Sequence, residues 1–394
     1  MTALLALWLM ASPAVDSFEV VWSTLRDHYW DASMAGLDWQ KMHEQYLAKV
    51  KAARDLDEAR QAMSEMIHKL PSSHLALIPT EAYTPEEATG GKAFGGPGST
   101  GITVTPIDHK IVVESSENSS VHPGWIVESI DGTSVKRLMA LAGDPEIIGA
   151  WLSGPVGSVA HIEFTKGDGT KTTLDIPRRT PAGKSVKFGN LPTERVIAEH
   201  KKLPDGAGYI RLNIFLDPVS VMPEFERAIS DLRDTPGIVL DLRGNPGGLG
   251  IMAMGLAGWF VSDEGQVLGT MLGRNSKTQF EINPRLEPYT GKLAILVNGS
   301  SASTSEILAQ GLKDLGRARI FGTRTMGEAL PSEVIQLPDG DRFQYPEANY
   351  TSFKGRVLEG NGVEPDVVAA PTIAALLVGR DVALESALSW ITGK

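Results

Sequence analysis

The chain has no cysteine among its 394 residues. That excludes disulfides, a thiolate nucleophile and cysteine-bound zinc, and it suits an exported bacterial protein. Positive charge is also scarce: 37 Lys and Arg stand against 48 Asp and Glu, a formal charge of −11, with no basic run. That balance speaks against general nucleic-acid binding. No apolar run reaches the roughly 20 residues a membrane-spanning helix needs, and no repeat or low-complexity tract is present. The remainder is ordinary globular material, 42% apolar and 22% charged, long enough for two or three domains.

Residues 2–10 (TALLALWLM) are apolar and lead into Ala11-Ser12-Pro13-Ala14, small residues of the cleavage-site kind. No Lys or Arg precedes them, a departure from a secretory leader. The expectation is a signal peptide over 1–14 and a periplasmic or secreted location. Phe18, Val21, Trp22, Leu25 and Tyr29 then recur at helical spacing, and runs 42–50 and 56–70 follow, with Asp38 placed to cap a helix. This predicts a helical bundle in a region 15–92, which ends in a turn at Ser73-His74 and a strand-like 75–78. Residues 83–99 are rich in Gly, Pro and Glu and read as a linker or lid.

The next region, 93–182, is β-rich, with strands expected over 101–104, 110–114, 125–130, 160–164 and 172–176 and one helix over 135–142. Its segment Gly124-Trp125-Ile126-Val127-Glu128-Ser129-Ile130-Asp131-Gly132 resembles the signature hairpin of a PDZ domain, with Trp125 where Asp is common. PDZ domains hold a C-terminal carboxylate in a backbone loop and add the peptide as a strand. The loop Gly98, Ser99, Thr100, Gly101 and Ile102 is the candidate for that role. The plain alternative is a small β-sandwich without a ligand.

From 183 to 394 strands alternate with helices, which predicts an α/β fold with a largely parallel sheet. Strand 237–242 runs into the tight loop Arg243-Gly244-Asn245-Pro246-Gly247-Gly248. Strand 292–297 runs into Asn298-Gly299-Ser300-Ser301-Ala302-Ser303-Thr304-Ser305-Glu306, where a helix begins. A serine at a helix start has unpaired N–H groups and a partial positive charge beside it, as a nucleophile requires. Read alone, residues 297–306 favour a plain helix cap, with Ser303 or Ser305 accepting N–H bonds. With a nucleophile at Ser303, the Thr304 N–H and that of Gly247 or Gly248 would be the oxyanion donors. Asp241 and Arg243 read as a structural ion pair, and Glu306 as a first-turn carboxylate placed for the helix dipole.

Taken in order, residues 70–78, the PDZ-like hairpin, DLRGNPGG (241–248), GSSASTSEI (299–307), GTRTMG (322–327) and EGNGVEPD (359–366) resemble the tail-specific, or C-terminal-processing, serine protease family. That family includes the core of the tricorn protease. The resemblance implies a crotonase/ClpP-like α/β core, an N-terminal helical bundle and an inserted PDZ-like domain. It implies no metal and no cofactor, and a polypeptide as substrate. In that family the nucleophile is the middle serine of the S-A-S-x-S-E run, here Ser303. The processing enzymes pair it with a lysine, and Glu328 stands at that position here. The tricorn-like branch uses a Ser-His pair ahead of the PDZ domain and a late glutamate. Those map onto Ser73, His74 and Glu359, with His74 as base, oriented by Glu359 through Ser73. Two other functions compete: a catalytically silent binding protein for hydrophobic ligands or peptides, and an ester-hydrolysing or acyl-transfer enzyme of the crotonase type.

Overall fold

The computed structural model describes residues 13–80, 98–142, 145–191 and 193–393. The apolar leader to residue 12 and most of the expected lid, 81–97, lie outside the described residues.

A six-stranded sheet organises the C-terminal half. Its order is Ala198–Lys202, Gly208–Leu212, Gly237–Asp241, Lys292–Val297, Arg319–Gly322 and Val367–Val368. The first pair is antiparallel and the others are parallel. Side chains alternate between the faces of a strand, and both faces are covered here. Ile238, Leu240, Leu293 and Ile295 pack among helices Pro218–Asp231, Gly250–Ala257 and Thr304–Asp314. Val239, Ala294, Leu296 and Phe321 pack against Ala383, Ala387 and Ile391 of helix Val382–Thr392. Burial on both faces explains why these strands read as unbroken apolar runs. The two loops singled out above leave the C-terminal ends of neighbouring parallel strands, Gly237–Asp241 and Lys292–Val297, where ligand sites of open α/β sheets form.

Helices Pro13–His28, Trp39–Ala52 and Leu56–Ile67 form the expected bundle, and Asp38 caps the second by accepting from Lys41 N at 3.0 Å. The bundle does not close on itself. Its core takes in Leu337, Phe343 and Tyr345, from a hairpin of Ser332–Gln336 and Arg342–Pro346 that also pairs with strand Ala76–Ile78. Arg60 reinforces this join, gripping the buried Asp341 carboxylate with two bonds of 2.7 Å.

An antiparallel sheet, in order Ile102–Ile107, Lys110–Ser116, Ile126–Ile130, Val159–Thr165 and Lys171–Pro177, has its own core around Ile111, Val113, Leu138, Ile162 and Phe164. Helix Val135–Ala142 matches its expected span. Strand Ile102–Ile107 is an edge of the sheet. It faces the ends of the parallel strands across a cleft of about 1100 Å³, lined also by Arg243, Asn298 and Arg324. Along the chain between this sheet and the parallel one, strand Lys184–Val186 pairs with Glu194–Val196.

Candidate active site

Ser303 occupies the N-cap of helix Thr304–Asp314 with φ 53° and ψ −116°. A non-glycine residue in this region costs about 1–3 kcal/mol and persists only where its surroundings fix it. They do so here. Its N–H donates to Glu328 O at 2.8 Å and to Glu306 Oε2 at 2.9 Å. On the preceding turn, Ser301 Oγ donates to Leu242 O at 2.7 Å and Ala302 N to Asn245 O at 3.1 Å. Ser305, one of the two residues that fit a cap, instead donates its hydroxyl to Asn245 O at 2.9 Å.

The glycine loop lies against this turn. Asn245 is fully buried, its Nδ2 donating to Leu212 O at 2.8 Å while its Oδ1 accepts from Gly247 N at 2.9 Å. Gly247 has φ 102° and Gly248 φ 131°. A Cβ on Gly247 would lie 2.7 Å from Ser303 Cβ, and one on Gly248 would lie 2.4 Å from Phe215 O. Both positions need glycine for that closeness as well as for φ. Of the two possible oxyanion donors, Gly247 has its N–H committed to Asn245. Its carbonyl accepts from Phe215 N at 2.7 Å, so the trans peptide aims the Gly248 N–H the opposite way. Among the described residues neither the Gly248 N–H nor the Thr304 N–H has an acceptor.

The other half of the site comes from distant segments. Glu359 accepts from Ser73 N at 2.7 Å through Oε1, and through Oε2 from Ser73 Oγ at 3.0 Å and Ala329 N at 3.1 Å. Ser73 Oγ lies 2.7 Å from His74 Nδ1. The hydroxyl has one proton, and a carboxylate only accepts. With that proton on Glu359, Ser73 Oγ accepts from Nδ1–H, and the lone pair of the neutral ring is on Nε2. Burial lowers the His74 pKa from 6.5 to about 4, so the ring is neutral at pH 7. The halves meet at residues 328 and 329: Glu328 O accepts from Ser303 and Ala329 N donates to Glu359. Ser303 Oγ and His74 Nε2 are not hydrogen-bonded to each other in this structure.

The Glu328 side chain, at the position of the family's lysine, is exposed while its backbone joins the site. Among the described residues no lysine hydrogen-bonds to Ser303. Asp241 and Arg243 form the expected ion pair at 2.6 Å, extended to Asp381 at 2.8 Å and to the Tyr209 hydroxyl at 2.8 Å. In the loop 98–102, Gly98 N and Ser99 N pair with Gly154 O and Arg179 O. Gly101 N and Ile102 N donate to the loop's own hydroxyls, Ser99 Oγ at 3.0 Å and Thr100 Oγ1 at 3.4 Å. Among the described residues no cluster of three or more metal-ligating side chains occurs, and no helix is long and apolar enough to cross a membrane.

Residues 206–369, which carry both loops and Glu359, match the model of peptidase family S41, and residues 16–68 match the tricorn protease C1 domain. Residues 206–369 therefore carry a peptidase family S41 domain. The S41 match leaves out Ser73 and His74, and the C1 match stops just before them. A carboxy-terminal-processing protease of Bartonella bacilliformis is 30% identical over 278 residues, 66% of this chain and 61% of that protein. A carboxyl-terminal-processing protease of Synechocystis is 26% identical over 384 residues, 94% of this chain and 85% of that one. Among solved structures, the photosystem II D1 C-terminal processing protease superposes with a TM-score of 0.63 at 23% identity, covering 96% of both chains. The tricorn protease superposes with a TM-score of 0.54 at 18% identity over 97% of this chain and 37% of that one. These S41 likenesses extend to the whole architecture described above.

Two residues of this S41 site carry more than their sequence reading. Glu306 was read for its dipole alone, yet it is a buried hub. Asn245 had no assigned role; an Asn two residues ahead of a glycine pair, able to bond the backbone two positions on, is the signal that marks it.

Proposed function

We propose that this chain is a serine endopeptidase that cuts peptide bonds through an acyl-enzyme. Ser303 Oγ attacks the scissile carbonyl as His74 Nε2 takes its proton. The oxyanion forms against the N–H groups of Gly248 and Thr304, each worth about 3 kcal/mol in such a site. His74 returns the proton to the leaving amine, and water then repeats the cycle on the ester. Glu359, through Ser73, orients the ring and steadies its charged form. The carrying observation is the Glu359–Ser73–His74 relay, since it leaves the ring lone pair on Nε2. Region 93–182 is, in this reading, a PDZ-like domain inserted between a helical region and a crotonase/ClpP-like core. Its edge strand Ile102–Ile107 would pair with substrate C-termini, and loop 98–102 would take their carboxylate. An exported location fits the lack of cysteine.

The missing Ser303–His74 hydrogen bond favours the silent binding protein as the second reading, although such bonds often tighten only with substrate bound. Labelling with a fluorophosphonate decides between them. Wild type should label, and Ser303→Ala and His74→Ala should lose labelling and at least about 10⁴-fold of peptide cleavage. A folded wild type that neither labels nor cleaves a peptide sinks the peptidase reading. Cleavage of simple esters alone would favour the ester-hydrolase alternative.

A further inference from the structure

Glu306 is 0% exposed and takes four hydrogen bonds. Oε2 accepts from Ser303 N at 2.9 Å and Glu328 N at 3.0 Å. Oε1 accepts from Gly327 N at 2.8 Å and from the Thr325 hydroxyl. Among the described residues no cation pairs with it. A carboxylate has two acceptor oxygens and no donor, and here both oxygens are used twice. Stabilising the helix dipole needs only a carboxylate in the first turn, and an exposed one serves. It does not need contacts with 325–328.

Those contacts fall on the two pieces that must stay in register. One is Ser303 itself, held at positive φ. The other is the segment whose next residue, Ala329, donates to Glu359 and so to the Ser73–His74 relay. Thr325 extends the clamp, since its Oγ1 also accepts from Val363 N at 2.6 Å, on the chain just past Glu359. We infer that Glu306 is a positioning residue that fixes the distance between the proposed nucleophile and its proposed base. This rests on the reading of Ser303 and His74 as that pair. Glutamine at 306 keeps the shape but turns an NH₂ group toward one pair of donors, so Ser303 or the 327–328 peptide must move. A misplacement of about 1 Å costs on the order of 100-fold in rate.

The test compares wild type with Glu306→Gln by fluorophosphonate labelling, following rate and endpoint separately, and by kcat and KM on one peptide. The expected result is a full endpoint reached about 100-fold more slowly, kcat down by a like factor and KM within about twofold. A labelling rate within threefold of wild type overturns the inference. So does a reduced endpoint with the surviving fraction reacting at the wild-type rate, which is a folding defect only. If Glu306→Gln does not fold, Thr325→Val, which removes one donor, is read in the same way. About tenfold slowing supports the inference and a wild-type rate overturns it. A wild type that does not label at all removes the Ser303–His74 reading, and this inference falls with it.

Discussion

The two halves of the site are built in different ways. The half that holds the proposed nucleophile lies on adjacent loops of neighbouring parallel strands and is bonded many times over. Asn245, Ser301, Ser305 and Glu306 each tie backbone there, and Thr304 Oγ1 adds a bond to Gly248 O at 2.8 Å. The half that holds the proposed base joins Ser73 to Glu359 across 286 positions of sequence, through one carboxylate that accepts from the Ser73 N–H and hydroxyl. Redundancy fixes a strained serine, since no single bond carries the whole cost of its conformation. A sparse relay instead places one ring and sets its tautomer. Damage to the first half should therefore appear in both stability and rate, and damage to the second in rate alone.

Gly248→Ala gives the largest effect that sharpens this contrast. Its Cβ would meet Phe215 O at 2.4 Å, on a backbone with φ 131°, so the loop must shift and aim its N–H elsewhere. The expected outcome is a kcat lowered by about 10³-fold together with a loss of about 1–3 kcal/mol in thermal or urea unfolding. Activity within tenfold of wild type would show that this N–H does not face the reacting carbonyl.

Glu359→Gln comes next, with kcat expected to fall about 100-fold. The amide must point a donor at Ser73 or Ala329, which are donors already. Unfolding should change little, because few bonds are involved; a loss as large as that of Gly248→Ala would erase the contrast. The pH profile tests the same half. With the His74 pKa lowered to about 4 by burial, the ring is an unprotonated base at neutral pH. The acid limb of kcat/KM should then lie near pH 4 to 5, and a limb near 6.5 contradicts the half-buried neutral ring. The sign for stability agrees. The unfolded ring binds its proton first, so this site's contribution is full above pH 6.5 and is lost as pH falls toward 4.

The same contrast explains what could be read in advance. The turn into helix Thr304–Asp314 was legible because it is local: an apolar strand, small residues, then helical spacing. The parallel sheet was legible because burial on both faces writes continuous apolar runs. His74 stood out only through the family resemblance, since no spacing rule links residues 73 and 359. The hairpin 332–346 escaped notice because its strands are settled by what they pack on, the Phe343 and Tyr345 rings inside the helical bundle. The choice between Gly247 and Gly248 depends on the way one peptide plane faces, which Asn245 decides. Glu306 could be placed in the first turn but not in its contacts, because Thr325 and Gly327 reach it only after folding.

Glu328→Ala should have the smallest effect and bears on which branch of the family the chemistry follows. The side chain stands where the processing enzymes carry lysine, yet it is exposed, while the N–H of residue 328 donates to Glu306 and its C=O accepts from Ser303. Alanine keeps both. Peptide cleavage and fluorophosphonate labelling should stay within about threefold of wild type, because the proposed base is His74 and not this exposed carboxylate. A 100-fold loss would mean that the Glu328 carboxylate handles a proton and that the lysine position is still in use. A wild-type rate leaves His74 as the base. The local half of the site then supplies the nucleophile, and the distant half supplies the proton transfer that lysine performs elsewhere in the family.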